Sequence, residues 1–223
     1  MKNKVMYLLV MILAIVITFP NEIIFATFPE KSNFEEPNIV IITPCSRPKN
    51  LQEIKNSIDL KKIKRWYISY DCQDNKMEYT QRFPDEPKIK ELKCTVKSIS
   101  GNGPRNVALD EISKSEGPCI VYFLDDDNVL HQNFLEKDYK MNKIYTFDML
   151  RNGADSAGNN ISVGHIDTAQ FLVDMSIIGN TRWVDKYEAD GVFITDIIKR
   201  NKDKWEYIPE TLAFYNSLYS SSP

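Results

Sequence analysis

The sequence lacks a strong charge of either sign. Its 223 residues include 28 lysines and arginines against 31 aspartates and glutamates, which gives a formal net charge of −3. No acidic tail of the kind that keeps a chain disordered is present, and the basic residues at 61–65 are interpreted as a solvated helix end. Because a nucleic-acid-binding surface needs a larger basic patch, no nucleic-acid partner is expected.

Histidine and closely spaced cysteines are also scarce. The chain has two histidines, His131 and His165, and no two of its four cysteines have the Cys-x-x-Cys spacing of a metal site. The cysteines can form disulfides or remain buried thiols, and the sequence leaves both alternatives open. With no internal repeat and 43% hydrophobic residues, the chain is expected to form one globular domain.

The N-terminal segment is short for a membrane span. A basic flank precedes a largely apolar stretch from Val5 to Phe19, whereas a spanning helix needs about 20 residues. Residues 1–27 are therefore predicted to be either a cleaved signal peptide or a signal anchor, and residues 28–37 a short polar linker. Either alternative places the domain, residues 38–223, in the secretory pathway or another extracytoplasmic space.

Apolar strands alternate with helical patterns in the first half of this domain. Residues 38–43 form a continuous β-branched run, which is typical of a strand buried on both faces. The alternation predicts an α/β fold with a mainly parallel sheet flanked by helices. Strands are predicted at 38–43, 64–70, 95–99, 119–124, 144–150 and 207–215, extended segments at 161–166 and 171–178, and helices at 49–60, after 106, at 130–137 and at 190–200.

Polar residues follow each predicted strand of this first half. Ligands of open parallel sheets bind beyond the carboxyl ends of the strands, so these residues are expected to share one crevice. The residues concerned are Pro44, Arg47, Asp71, Asp74, the turn at 101–106 and Asp125–Asp127.

The triplet Asp125–Asp127 directly follows an apolar strand. Three adjacent carboxylates repel one another and are costly to bury without a cation. One aspartate could cap a following helix, but a cap does not explain three. Because Mg²⁺ and Mn²⁺ prefer oxygen ligands, a divalent metal site is the favoured interpretation.

The turn at 101–106 combines glycine, proline and Arg105 before a predicted helix. Helix N-termini attract anions, and an arginine can bind phosphate with two hydrogen bonds. Beside a metal-binding triplet, this turn suggests a diphosphate ligand.

Three stretches together resemble the glycosyltransferases of the GT-A fold. "IVIITPCSRPKNL" is similar to their first strand and nucleotide-facing loop, "GPRNVALDEI" to an Arg-Asn helix start, and "VYFLDDDNVL" to their DxD motif. The family-2-like and glucuronyltransferase-like (family-43-like) inverting branches are the most similar. The resemblance implies a nucleotide-binding half at 38–128 and an acceptor half at 129–223.

The resemblance also implies roles for individual residues. Asp127 would bind a Mn²⁺ or Mg²⁺ ion together with Asp125, and Asp125 and Asp126 would contact the ribose and the waters of the metal. The remaining donor-side residues would be Asp71 or Asp74 at the base, usually uracil, Arg105 on the donor side of the crevice, and Pro44 and Arg47 lining the nucleotide pocket.

The acceptor half offers a general base. In the family this carboxylate begins a helix, and "YEADGVFITDIIKR" supplies Asp190 and Glu188 there, although Asp190 could equally be a helix cap. Asp167 and Gln170 would contact sugar hydroxyls of the acceptor. The chain departs from many metal-dependent relatives because its C-terminal part has Tyr215 and Asn216 in place of a metal-binding histidine.

The expected function is a metal-dependent glycosyltransferase that moves a sugar from a UDP-sugar to a hydroxyl group, with inversion. The acceptor would be a glycan, a protein or a lipid-linked molecule, and the N-terminal segment could contact a membrane. Two alternatives remain. One is a nucleotidyltransferase, although the loop Thr-Pro-Cys-Ser-Arg-Pro lacks the glycine-rich sequence with a lysine that such enzymes carry; the other is a binding module without turnover.

Overall fold

The structure is a computed structural model that describes residues 38–75 and 77–218. The predicted signal segment (1–27) and linker (28–37) lie outside these residues. No helix within the described part is both long and apolar enough to span a membrane. The four cysteines lie within it, and all four are buried thiols without a disulfide.

One sheet forms the centre of the described domain. Its strand order is β3-β2-β1-β4-β8-β6-β9-β5, and β7 pairs with β6 at its side. The strands are β1 (Ile39–Cys45), β2 (Arg65–Asp71), β3 (Ile89–Cys94), β4 (Ile120–Phe123), β5 (Val129–Leu130), β6 (Ile144–Arg151), β7 (Ala154–Ser156), β8 (Phe171–Asp174) and β9 (Trp205–Phe214).

Helices cover both faces of this sheet, and the predicted α/β class with a helix-flanked sheet is confirmed. Strands β1 to β4 are parallel, whereas β8 joins β4 and β6 by antiparallel ladders and β6 pairs with β9 in parallel. The helices are α1 (Leu51–Ser57), α2 (Asn102–Ser115), α3 (Met175–Ile178) and α4 (Ala189–Arg200).

Strand β1 shows why the continuous apolar run folds as it does. All of its residues are buried, and alternate side chains enter opposite layers of the core. Ile39 and Ile41 pack with Leu51 and Ile54 of α1 in one layer. Val40 and Ile42 pack in the other layer with α2, through its residues Ala108, Leu109 and Ile112. A strand buried on both faces is what the sequence predicted here.

Several predicted elements are wrong. The strand expected at 95–99 lies earlier, at Ile89–Cys94, and Val96 and Ile99 are exposed in a loop. The helix expected at 130–137 is replaced by strand β5 and one 3-10 turn, because Leu130 pairs with Ala213 of β9. Residues 161–166 form turns, and Ile177–Ile178 belong to helix α3. In the β5 region tertiary pairing overrides local helix preference.

Candidate active site

The carboxyl ends of β1, β2 and β4 open into one cavity, as the sequence predicted. Its volume is about 560 Å³. The start of α2 and two tyrosines complete its wall. The lining residues are Pro44–Arg47, Asp71, Gln73, Ser98–Gly101, Arg105, Asp125–Asp127, Tyr187 and Tyr215.

Asp126 is bound entirely by the protein framework. Its Oδ2 accepts hydrogen bonds from the backbone N–H groups of Ser46 and Arg47, both at 2.6 Å, and from the Ser46 hydroxyl. Its Oδ1 accepts a bond from the Arg47 guanidinium, also at 2.6 Å. These bonds hold the loop after β1 against the end of β4. They leave the predicted contact of Asp126 with ribose without support.

Asp127 faces the cavity and shares the cation of Arg47. The Arg47 Nη1 atom lies 2.8 Å from Asp127 Oδ2 and also bonds Asp126. Burial and the neighbouring charge of Asp125 nevertheless raise the pKa of Asp127 to about 6, although Arg47 acts in the opposite direction. Three aspartates are paired here with two arginines, so carboxylates outnumber cations, and Arg47, about one third exposed, is the cation bonded to Asp127.

Asp125 pairs with Arg105 instead. The Arg105 guanidinium lies 2.5 Å from Asp125 Oδ1, donates to the Ser100 carbonyl at 2.7 Å, and stacks over the Trp183 ring with its carbon 4.7 Å from the ring centre. The Arg105 side chain is only 5% exposed. It is therefore held by protein groups and forms a wall of the cavity.

The first four residues of α2, 102–105, do not present free N–H groups to a ligand. The N–H groups of Asn102 and Gly103 donate to Ile99 O and Ser98 Oγ, that of Arg105 donates to Gly101 O, and Pro104 has none. Gly101 is required because its φ is +73° and a Cβ there would lie 2.9 Å from Pro44. The predicted diphosphate contact at this helix start therefore needs correction.

Of the two acids predicted at the base, Asp71 lines the cavity. Its Oδ2 accepts a bond from Gln73, and its Oδ1 is buried with no partner in the described residues. Gln73, which the sequence analysis missed, also bonds the backbone N–H and carbonyl of Ser98. Asp74 is more exposed, and its Oδ2 atom lies 3.6 Å from Lys97 Nζ. Asp71 is thus the better placed candidate for a base contact.

A second cavity of about 350 Å³ adjoins the first. Arg105, Asp125, Asp127, Tyr187 and Tyr215 line both cavities. The residues that belong to the second include Arg151, His165, Asp167, Lys186, Glu188 and Asp190. The predicted donor-side and acceptor-side residues therefore meet at one boundary.

Asp190 lies in the first turn of α4 and is not its N-cap. The N-cap position belongs to Glu188, which has a left-handed φ of 57° and makes no side-chain cap. Asp190 Oδ1 accepts the Gly191 N–H at 2.7 Å. Burial raises the pKa of Asp190, while that hydrogen bond and the charge of Arg105 lower it. Glu188 is exposed at the rim of the same cavity.

Asp167 and Gln170 form a capping box around a 3-10 turn. Asp167 Oδ1 accepts the Ala169 N–H, and Gln170 Oε1 accepts the Asp167 N–H, both at 3.0 Å. Asp167 lines the second cavity, and burial and the charge of Asp125 raise its pKa to about 7. Gln170 is fully buried and donates to Ser156 O, so its predicted contact with an acceptor is not supported.

The C-terminal segment closes the boundary between the cavities. The Asn216 N–H donates to Asn128 Oδ1 at 2.7 Å, and the Leu218 N–H donates to Asp127 O at 2.9 Å. The Arg151 guanidinium stacks over the Tyr215 ring. The residues that follow Tyr215 are therefore bonded to Asp127 and Asn128, and this places Tyr215 beside the aspartate triplet. Tyr215 was expected from the sequence to stand where many relatives have a metal-binding histidine, and it lines both cavities.

The carboxylates of the triplet suit a divalent cation only if a bound ligand supplies some of the oxygen atoms that coordinate it. Within the described ranges, no three His, Cys, Asp or Glu side chains are grouped closely enough to hold a metal by themselves. Mg²⁺ usually binds through one or two carboxylates, waters and substrate phosphates. Asp125 and Asp127 match that donor set, since a single oxygen of each bonds to arginine and the charge of this cluster is in excess.

Comparison with known proteins supports the fold. No family model and no curated protein matches the sequence. The solved structure of S. aureus TarS residues 1–349 matches with a TM-score of 0.58 and 14% identity, over 79% of this chain and 60% of that chain. TarS in complex with UDP-GlcNAc matches with a TM-score of 0.52 and 13% identity, over 79% and 57%.

The chain thus spans less than two thirds of these TarS structures. At such low identity the likeness shows the fold alone. The predicted GT-A fold, a mainly parallel sheet flanked by helices, is confirmed for this chain by that likeness.

Proposed function

We propose that this chain is a glycosyltransferase that moves a sugar from a nucleotide-sugar, with a UDP-sugar as the expected donor, to a hydroxyl group of an acceptor. One observation carries the proposal: two adjoining cavities share the wall formed by Arg105 and Asp125, and the second contains the half-buried carboxylate of Asp190. A donor in the first cavity and an acceptor in the second would meet at that wall.

The donor-side roles follow from charge and hydrogen-bonding capacity. Asp71 Oδ1 is a buried acceptor without a partner in the described part, and a base N–H such as that of uracil would satisfy it. Arg47 is the partly exposed cation at the triplet and would face the diphosphate. Pro44 would line the nucleotide pocket. Complexed TarS holds a ligand of this class, UDP-GlcNAc.

Asp125 and Asp127 would hold Mn²⁺ or Mg²⁺ together with phosphate oxygens of the donor. The ion would supply Lewis-acid stabilisation of the negative charge on the departing diphosphate. The protein contributes the arrangement of the carboxylates. Asp126 fixes the loop after β1, and Arg47 and Arg105 keep Asp127 and Asp125 oriented.

Asp190 is the proposed general base. The acceptor hydroxyl would transfer its proton to the Asp190 carboxylate while its oxygen bonds to the anomeric carbon, and the bond from that carbon to the diphosphate would break. Attack from the face opposite the diphosphate inverts the anomeric centre. Glu188 is the second candidate for the base, and Asp167 is proposed to bind an acceptor hydroxyl.

The acceptor class and location rest on the sequence. A glycan, protein or lipid-linked acceptor is proposed, together with an extracytoplasmic location and a possible membrane contact of residues 1–27. The polar lining of the second cavity suits a hydroxyl-rich molecule.

Release of UDP from a panel of UDP-sugars, with and without Mn²⁺, tests the proposal, because water can replace an unidentified acceptor. We expect release with at least one donor, and a loss of about 10²–10⁴-fold in kcat for Asp190→Asn. Asp203→Asn changes an exposed acid in the turn after α4 and should keep the wild-type rate.

No release with any donor would contradict the transferase function. If UDP still raised the melting temperature, a binding module would be the remaining interpretation. An unchanged rate in Asp190→Asn would remove Asp190 as the base.

A further inference from the structure

The start of α2 and the loop before it are hydrogen-bonded to residues 183–186. This segment lies shortly before the proposed base, Asp190, in the chain. The Asn106 side chain makes two bonds to one residue: Trp183 N–H donates to its Oδ1 at 2.8 Å, and its Nδ2 donates to Trp183 O at 2.9 Å. Two further bonds join the same pieces. Asn102 Nδ2 donates to Lys186 O at 3.1 Å, and Ile99 N–H donates to Asp185 Oδ1 at 2.7 Å.

The side chain of Trp183 connects this hydrogen-bonded segment to α4. Its side chain is buried, and its ring stacks on Phe193 with the ring centres 4.6 Å apart and a 9° angle between the planes. Phe193 lies one turn after Asp190 in α4. A change in the position of Trp183 would therefore be passed to the first turn of α4 through a close-packed contact.

Arg105 joins the same cluster to the donor cavity. It lies between the Trp183 ring and the Asp125 carboxylate, at 4.7 Å and 2.5 Å respectively. It also donates to the Ser100 carbonyl. The Arg105 side chain is buried, so turning its guanidinium toward a phosphate would break the ion pair with Asp125, the bond to Ser100 O and the stacking on Trp183.

We propose that Asn106 and Arg105 are positioning residues that hold the 183–186 segment, and through it Asp190, at a fixed place relative to Asp125. The inference rests on the proposed function, since it concerns the alignment of the donor side and the base. Arg105 then acts through Asp125 and Trp183 and does not bind the diphosphate itself. We call Asn106, Arg105 and Trp183 the clamp. The clamp sets the distance between Asp125 on the donor side and Asp190, the proposed base.

Asn106→Ala removes both bonds to Trp183 without opposing the helix, because alanine favours helical backbone. We expect kcat for UDP release from the active UDP-sugar to fall about 10- to 100-fold, since misalignment of a base carries a penalty of this size. The KM for the donor, and the rise in melting temperature caused by UDP with Mn²⁺, should stay within about twofold of wild type. A purely structural defect would reduce folded protein and leave kcat per folded molecule unchanged.

Two further variants provide an intermediate case and a control for the change in kcat. Asn106→Asp keeps an acceptor for the Trp183 N–H but loses the donor to Trp183 O, so its kcat should lie between wild type and Asn106→Ala. Asn56→Ala removes an exposed asparagine side chain from helix α1 and should retain wild-type kcat. The proposal is overturned if Asn106→Ala keeps wild-type kcat, or if its main effect is a higher KM for the donor.

Hydrogen exchange of the backbone amides provides a readout that does not depend on activity. In Asn106→Ala the hydrogen-bonded amides of Trp183, Lys186 and Val192 should exchange at least tenfold faster than in wild type, while those of the loop after β1 should be unchanged. Equal exchange at Lys186 and Val192 would overturn the clamp even if no donor is turned over. Absence of UDP release by the wild type would instead count against the proposed function and leave this measurement to decide the clamp.

Discussion

Each aspartate of the triplet bonds to protein donors, with Arg47 shared by Asp126 and Asp127, which answers why a buried strand can be followed by three like charges. Asp125 pairs with Arg105, Asp126 with the loop after β1, and Asp127 with Arg47. Asp126 and Asp127 lie in the turn that follows β4, so the three carboxylates leave the backbone in different directions and reach donors from the loop after β1 and from α2. At the residue scale the triplet is therefore partly structural, and only Asp125 and Asp127 have an oxygen to offer a ligand.

Asp167 gives a pH-dependence prediction at the same scale. Its pKa is raised to about 7, mainly by burial and then by Asp125 and Asp190, against the opposing charge of Arg151. The folded state therefore binds this proton more tightly than the unfolded state, so the stabilisation is full below about pH 4 and is lost as pH rises through 7. Asp167→Asn can still accept the Ala169 N–H but does not titrate.

We expect the stability of Asp167→Asn, relative to wild type, to rise between pH 4 and pH 8 by on the order of 1–3 kcal/mol, after allowance for partial exposure. Urea unfolding at several pH values without added divalent cations measures this difference. Asp203→Asn, at an exposed site, is the control. A difference that is constant with pH would show that Asp167 titrates in the ordinary range in the folded protein.

At the element scale, the start of α4 depends on close contact with the turn at 162–164. A Cβ on Gly191 would lie 2.6 Å from the Val163 Cα atom and 3.3 Å from the Gly164 backbone nitrogen. Backbone cannot move aside as a flexible side chain can, so only glycine fits the present approach. This contact sets the distance between the turn at 162–164 and the first turn of α4, which carries Asp190.

Gly191→Ala should therefore destabilise the protein by about 1–3 kcal/mol, the usual cost of overpacking, and lower kcat for UDP release. Gly117→Ala is the matched control, because its Cβ would meet only the end of the Lys64 side chain at 3.7 Å and its φ is ordinary. Melting temperature and UDP release measure the two effects. Equal melting temperatures for the two variants would refute the importance of this contact.

At the scale of the whole molecule, four loops from separate strands form one cavity. The loop after β1, the end of β2, the start of α2 and the end of β4 are far apart in sequence but adjacent at one edge of the sheet. A ligand that bridges these loops binds only the folded protein and raises its melting temperature.

UDP with Mn²⁺ should therefore raise the melting temperature more than other nucleoside diphosphates do, and more than UDP without the cation. Thermal unfolding with a panel of nucleotides measures this. Asp71→Asn should reduce the preference for UDP over the other bases while retaining stabilisation by the diphosphate. Equal shifts for all nucleotides would contradict a uracil contact by Asp71.

The sequence by itself determined three of the four strands in the parallel half of the sheet, β1, β2 and β4, and the edge at which the polar residues meet. Continuous β-branched runs such as residues 39–42 are typical of strands buried on both faces, and the carboxyl ends of parallel strands share one edge. The positions of Arg47, Asp71 and Asp125 at one cavity follow from that rule.

Tertiary structure alone decided which partner each polar side chain takes. Arg105 follows a Gly-Pro turn and looks like a phosphate ligand in sequence, but packing places it between Asp125 and Trp183, which is 78 residues later in the chain. Gln170 looked available for a sugar, but a capping box buries it. Hydrogen bonds between residues distant in sequence leave no local pattern, so folding had to bring them together before their roles could be seen.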